Sequence, residues 1–298
     1  MTTLRLDTPL VSNGFSLSTS PKRLGRRAPT DPARPLAALR EQYRAQGYLW
    51  LRGILDPSEV LEFRRRYFTA DAGLPLIAPG TDPVDGICHE SPESVDPSLY
   101  HKITAEIVRW AEYEAFCLAA PIRRFYEALL EGAPYLHKRK LIRHGRPGDP
   151  HTTGAHYDLI YLRGGTDRIC TSWIPIGDTP VECGGLVYLE GSDPWERRKE
   201  AEFATRNRDL HPEERISAYN KNMKAGWLSN DLASMADELD MRWLAGDMVV
   251  HSPYMVHAST MNVDPQRRIR LSTDIHYQRV RDEIDIRWNN HWTLDDML

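Results

Sequence analysis

Three residues constrain this chain most: His156 and Asp158, two positions apart, and His257 about a hundred residues later. Two imidazoles and one carboxylate are the ligand set of a mononuclear non-haem Fe(II) site, which holds the ion on one face and leaves positions open for chemistry. In an extended strand residues i and i+2 point the same way, so the spacing predicts a strand that carries His156 and Asp158 to one metal while Tyr157 faces elsewhere. A lone His-x-Asp says little in a chain with 11 histidines. The surroundings add weight: strand-like runs at 169–176 and 185–190 follow, then a Gly-Asp turn and 248–250 lead toward His257, and an arginine-bearing strand comes next.

From Tyr135 onward the pattern is one of short β segments separated by Gly-Asp-Pro, Gly-Gly and Gly-Asp turns. Helical spacing dominates before it. Leu36, Leu39 and Tyr43 predict a helix stopped by Gly47, and Asp56-Pro57-Ser58-Glu59 opens another with Asp as N-cap. Residues 99–131 carry apolar positions at helical intervals, divided near Pro121. Between Ser192 and Trp243 about fifty residues with helix signals interrupt the strands: a capping box at Asp193-Pro194-Trp195-Glu196, a second start at His211-Pro212, and a third helix over 231–239. Such an insertion, about 193–242, is either a substrate cover or a packing elaboration. Residues 1–35, rich in Ser, Thr, Pro and Arg, read as a loosely ordered arm able to add an edge strand, leaving 36–298 as one domain.

A net charge of −4 argues against nucleic acid as an obligatory partner, and Arg64-Arg65-Arg66 and Lys138-Arg139-Lys140 read as solvated faces. No apolar run approaches the roughly 20 residues of a membrane span, and the N-terminus lacks a signal-peptide core, so a soluble cytoplasmic protein is expected. Cys88, Cys117, Cys170 and Cys183 are widely spaced and form no CxxC, which fits buried free thiols in a reducing compartment.

The order of these segments resembles the phytanoyl-CoA dioxygenase-like branch of the Fe(II)/2-oxoglutarate oxygenases, most densely over 154–192 and 246–277. His257-Ala258-Ser259-Thr260-Met261-Asn262 is similar to the family's His-x-Ser-x-x-Asn, and Arg268 lies eleven residues after the histidine, where the family keeps its co-substrate arginine. The resemblance implies a double-stranded β-helix (jelly-roll, cupin-like) core, mainly β, with a helical buttress. It implies Fe(II), 2-oxoglutarate as co-substrate, O2, and release of succinate and CO2. It also implies that His156, Asp158 and His257 are the catalytic metal ligands, that Arg268 and Ser259 bind the distal carboxylate of 2-oxoglutarate, and that Trp173 walls its pocket. Thr171 shares the face of Trp173 and offers a hydroxyl. Lys102 stands near the family's co-substrate lysine, or is a surface lysine. Glu190 and Asp193 replace the Pro and His common in the family's Pro-Gly-Ser-His turn, a departure that touches a turn and no ligand.

Alternation along 268–276 puts Arg268, Arg270 and Ser272 on one interior face, so Arg270 is either a second anion site or itself the anchor. A carboxylate at 158, in place of alanine or glycine, argues against halide transfer. Hydroxylation of a small, secondary-metabolite-like substrate is the expected reaction, with desaturation, cyclisation or epimerisation available to the same chemistry. A non-catalytic metal-binding cupin and a metal-assisted hydrolase are the rivals from other classes. His144 and His151 read as loop histidines, and His251 is rejected as a ligand because it lacks the following Ser and Asn. Tyr157 and Tyr161 are substrate-side aromatics or core.

Overall fold

A computed structural model of the protein describes residues 9–70, 76–89, 104–211, 214, 226–245 and 249–293. Local sequence accounts for the buttress. Helix α1 (Leu36–Gln46) ends at Gly47, whose φ of 76° is left-handed and whose N–H donates to the Tyr43 carbonyl at 2.8 Å. A Cβ at Gly47 would meet Asp193 Cβ at 2.6 Å, so the glycine also admits a neighbouring segment. Strand β4 (Tyr48–Trp50) follows, then α2 (Pro57–Ala70), whose start is capped by Asp56 Oδ1 accepting from the Ser58 N–H at 2.8 Å. The apolar run near Pro121 divides into α3 (Ala111–Cys117) and α4 (Ala120–Leu130), with the proline in the first turn of α4.

The remaining strands are β5 (Pro134–Leu136), β6 (Leu141–Gly145), β7 (Cys170–Pro175), β8 (Leu186–Leu189), β9 (Trp243–Ala245), β10 (Val249–His251), β11 (His257–Ser259) and β12 (Arg270–Arg279). They form a larger sheet in the order β4-β10-β7-β12-β5, with β6 also on β12, and a smaller sheet β11-β8-β9-β3, where β3 is Leu24–Arg26. Every pairing is antiparallel except β3 with β9. Tyr48, Trp50, Trp173 and Val249 of the larger sheet pack with Leu186 and Tyr188 of the smaller one, so the two sheets face each other.

Strand β12 shows how the period of two divides labour. Its odd residues Leu271, Ile275 and Tyr277 enter an apolar cluster with Leu39, Phe63 and Tyr126 from the helices, Tyr277 stacking on Tyr126 at 4.2 Å between ring centroids. Its even residues Arg270, Asp274 and His276 line the cavity between the sheets. Four cysteines are free and buried, and among the described residues no helix is long and apolar enough to cross a membrane.

Three expectations are corrected. The arm adds the edge strand expected of it but is not loose over 9–35: β1 (Val11–Ser12) pairs with β2 (Phe15–Ser16), β3 joins the edge of the smaller sheet, and Leu10, Leu17 and Leu24 are buried in its core. The basic runs are not solvated throughout. Arg64 is buried and donates to the carbonyls of Val84, Ile176 and Ile269, while buried Lys140 pairs with Glu114, since backbone acceptors and one carboxylate offset their desolvation. Asp193 does not cap its helix, because α6 (Ser192–Arg206) begins two residues earlier, after Gly191, and buried Asp193 instead binds Ser252 and, at 2.8 Å, Arg197.

The insertion has two anchors beside the metal-ligand segment. On α6, Glu200 holds Tyr157 and Arg163, and Leu228 and Ser229 exchange backbone hydrogen bonds with Ala155, next to His156. The third predicted helix is α7 (Leu232–Glu238), capped by Asp231. The start at His211 runs largely outside the described residues.

Buried Glu196 on α6 has an Oε1 with no partner among the described residues, and its carboxyl is pushed up from 4.5 to about 7 by burial and the nearby Glu200, against the pull of Lys199 and Arg163. A raised carboxyl contributes stability that is present below its unfolded value and lost as pH rises through the folded one, here between about 4.5 and 7. Glu196→Gln is therefore expected to match the parent near pH 4.5 and to exceed it by about 3 kcal/mol above pH 7. Thermal unfolding across that range checks it, and a difference that does not change with pH refutes it.

Candidate metal centre

His156 and Asp158 leave the strand geometry expected of them. His156 forms one antiparallel bridge with His257, but Asp158 already has helical angles (φ −67°, ψ −30°) and precedes the short helix α5 (Leu159–Leu162). The turn still brings the carboxylate to the imidazoles. Asp158 Oδ1 lies 3.9 Å from His156 Nε2 and 3.7 Å from His257 Nε2, and one ligand atom from each of the three residues falls within 4.8 Å of the others.

Each ligand is held from behind. His156 Nδ1 donates to the Gly154 carbonyl at 2.8 Å and His257 Nδ1 to the Met255 carbonyl at 3.0 Å, which leaves both Nε2 atoms as lone-pair donors directed inward. Burial and the neighbouring imidazole push His156 down to about 3, and burial likewise lowers His257, so both are neutral as metal binding requires. Asp158 Oδ2 accepts from Thr171 Oγ1 at 2.5 Å and from His251 Nε2 at 3.0 Å, while His251 Nδ1 accepts from Tyr188 at 3.1 Å. Burial opposes the carboxylate charge, and His257 and His251 more than offset it, holding Asp158 well below the usual range. Only Oδ1 remains for a metal.

This arrangement corrects one assignment and adds two residues. The Thr171 hydroxyl is committed to Asp158, so it orients a ligand instead of reaching a co-substrate. His251 stands opposite Thr171 in the β10–β7 register and steadies the same oxygen. That pairing, invisible in linear spacing, is why sequence reasoning gave His251 and Tyr188 no role.

Trp173, Ser259 and Arg270 line the cavity beside the triad, and Arg268 does not. Arg267 adopts a left-handed φ of 58°, β12 begins only at Arg270, and Arg268 folds back onto Asp264, which accepts from its Nε at 2.8 Å and Nη2 at 3.0 Å. Arg268 forms an antiparallel bridge with Ile87 ahead of β12 and alternates with buried Ile269 as expected, but its side chain is taken by Asp264 and does not line the cavity. Arg270 is buried, its Nη1 donates to the Gly184 carbonyl at 2.5 Å, and its Nε has no acceptor among the described residues. A Cβ on Gly145 would lie 2.9 Å from that Nε, so the glycine makes room for the guanidinium. Burial, with Arg143 nearby, lowers Arg270 to about 10, still cationic near neutrality. Ser259 Oγ accepts from the Thr153 N–H at 2.6 Å and keeps its own proton to donate. Lys102 lies outside the described residues.

The arm reaches this site. Buried Ser12 donates to the Ser259 carbonyl at 2.8 Å, and Met261 N–H donates to Val11 at 2.7 Å. Ser12→Ala is expected to lower stability by about 1–2 kcal/mol, read from denaturant midpoints at unchanged m-value; an unchanged midpoint removes the latch.

Neutral imidazoles, a carboxylate with one free oxygen and a buried guanidinium whose Nε has no acceptor among the described residues suit Fe(II) with an anionic co-substrate, and together with the paired sheets they define a non-haem iron, 2-oxoglutarate-dependent enzyme. A family model for phytanoyl-CoA dioxygenase (PhyH) matches residues 43–269, and the chain belongs to that family. Solved structures share the fold at low identity. EctD from S. alaskensis with 2-oxoglutarate and 5-hydroxyectoine is 15% identical, covering 88% of this chain and 84% of that one at a TM-score of 0.54. The epimerase SnoN in complex with Fe3+, alpha ketoglutarate and nogalamycin RO is 18% identical, covering 85% and 87% at 0.53. The carbocyclase SnoK from nogalamycin biosynthesis is 19% identical, covering 87% and 89% at 0.53.

Proposed function

We propose that this protein hydroxylates an unactivated C–H bond of a small organic molecule, working from a double-stranded β-helix core in the cytoplasm, where four free thiols and a ferrous ion suit a reducing environment. His156, Asp158 and His257 hold the iron. When bound with 2-oxoglutarate and O2, the iron supplies an oxidant strong enough to remove a hydrogen atom from carbon, with release of succinate and CO2.

The observation that carries this reading is the buried Nε of Arg270, without an acceptor among the described residues, on a side chain that lines the same cavity as the triad. A buried donor without a partner is costly, and a carboxylate relieves it with a charge-assisted bond. Arg270, in place of Arg268, thus anchors the distal carboxylate of 2-oxoglutarate, Ser259 donates a further hydrogen bond, and Trp173 walls the pocket. Thr171 and His251 keep Asp158 Oδ1 aimed at the metal, and the two sheets exclude water from the reacting centre. Desaturation, cyclisation and epimerisation differ from hydroxylation only in the fate of the substrate carbon after hydrogen removal, which substrate placement decides.

Anaerobic titration of the Fe(II)-loaded protein with 2-oxoglutarate tests the reading. A visible metal-to-ligand charge-transfer band is expected, and a folded, iron-loaded protein that gives no band is a metal-binding module or a hydrolase instead.

A further inference from the structure

The cavity has a second half that the metal ligands and the co-substrate contacts leave unused. It is walled by Tyr161 of α5, by Trp288 from the segment after β12, and by Arg143, Asp274 and His276 of the neighbouring strands β6 and β12. Trp288 closes this side, its indole N–H donating to the Tyr161 carbonyl at 3.2 Å and its ring set edgewise to His276 at 4.9 Å.

Three polar side chains here have unmet capacity. Arg143 Nε donates to Asp274 Oδ2 at 2.6 Å, which fixes the guanidinium, while neither terminal nitrogen has an acceptor among the described residues. Asp274 Oδ1 accepts nothing among them either. His276 is buried with Nδ1 unpartnered among the described residues, and burial keeps its ring neutral. A guanidinium held through Nε presents its two remaining nitrogens as a planar fork, the geometry that meets paired oxygens.

Resting on the function proposed above, we infer that this half of the cavity selects an oxygen-rich, hydrogen-bonding substrate. A paired-oxygen group such as a carboxylate meets the fork of Arg143, and a hydroxyl or amine meets Asp274 and His276. An unsubstituted acyl chain would offer no partner to the terminal nitrogens of Arg143, to Asp274 Oδ1 or to His276 Nδ1, and a site built to hydrogen-bond discriminates strongly against a ligand that cannot.

The test uses the full chain loaded anaerobically with Fe(II) and 2-oxoglutarate, reading perturbation of the charge-transfer band. Shikimate, L-tyrosine and 4-hydroxyphenylacetate are the polar probes, and decanoyl-CoA and phytanoyl-CoA the acyl ones. At least one polar probe is expected to shift the band and the thioesters to leave it alone. Arg143→Met and Asp274→Asn are each expected to weaken that polar probe by about 30-fold while the band itself persists, which shows the metal and co-substrate still bound. A thioester that shifts the band, polar probes that all fail, or polar binding indifferent to both substitutions overturns the inference. Loss of the band in Arg143→Met overturns it differently, by assigning Arg143 to the co-substrate. No band in the parent protein marks failure of the underlying function, a result distinct from all of these.

Discussion

Asp158→Ala is expected to abolish substrate oxidation and to weaken Fe(II) binding by more than about 100-fold, beyond the upper range for loss of a mere outer partner. The magnitude follows from the way the carboxylate is divided. Oδ2 is taken by Thr171 and His251, so Oδ1 is the single oxygen the residue offers a metal. Alanine removes it and also strands two buried donors, at about 1–3 kcal/mol each. Asp158→Asn keeps the shape and separates the two effects: its fold is expected to survive with metal affinity still reduced. Calorimetric Fe(II) titration, with circular dichroism to establish folding, gives the answer, and parent-like turnover in either variant removes Asp158 from the metal site.

Arg270→Ala is expected to raise the 2-oxoglutarate dissociation constant by about 100-fold, the scale of a lost bidentate charge-assisted contact. Arg268→Ala is expected to change it by less than about threefold and to show its effect in stability, by about 1–3 kcal/mol, because buried Asp264 loses its partner. The two substitutions thus divide binding from stability. Charge-transfer titrations and denaturant unfolding of both variants measure the division. If Arg268→Ala abolishes the band and Arg270→Ala does not, the anchor lies at 268 and the Asp264 pair must open when the co-substrate enters.

Much of the site is legible in linear sequence because its residues belong to local patterns. The triad, Ser259 and Trp173 sit at motif positions, and the polar face of β12 shows in simple alternation through Arg270, Ser272, Asp274 and His276. What is not legible depends on which partner a side chain takes. Arg268 lies just ahead of β12, where its side chain pairs with Asp264, and Arg270, the first residue of the strand, is the arginine that lines the cavity. The helical turn at Asp158 is a similar case, since an i, i+2 pair reaches one point by more than one backbone path.

Sequence by itself determined the class of chemistry, because a metal of this kind dictates its ligand types and those side chains are named in the chain. It also determined the helices at 36–46 and 57–70, whose caps and spacing are local. Tertiary structure alone decided which arginine faces the cavity, that His251 and Thr171 share one carboxylate oxygen, that the N-terminal strands latch onto Ser259, and that Trp288 closes one side of the cavity. Each of these joins residues far apart in the chain or turns on which partner a side chain takes, and neither spacing nor composition encodes the strand register that brings them together.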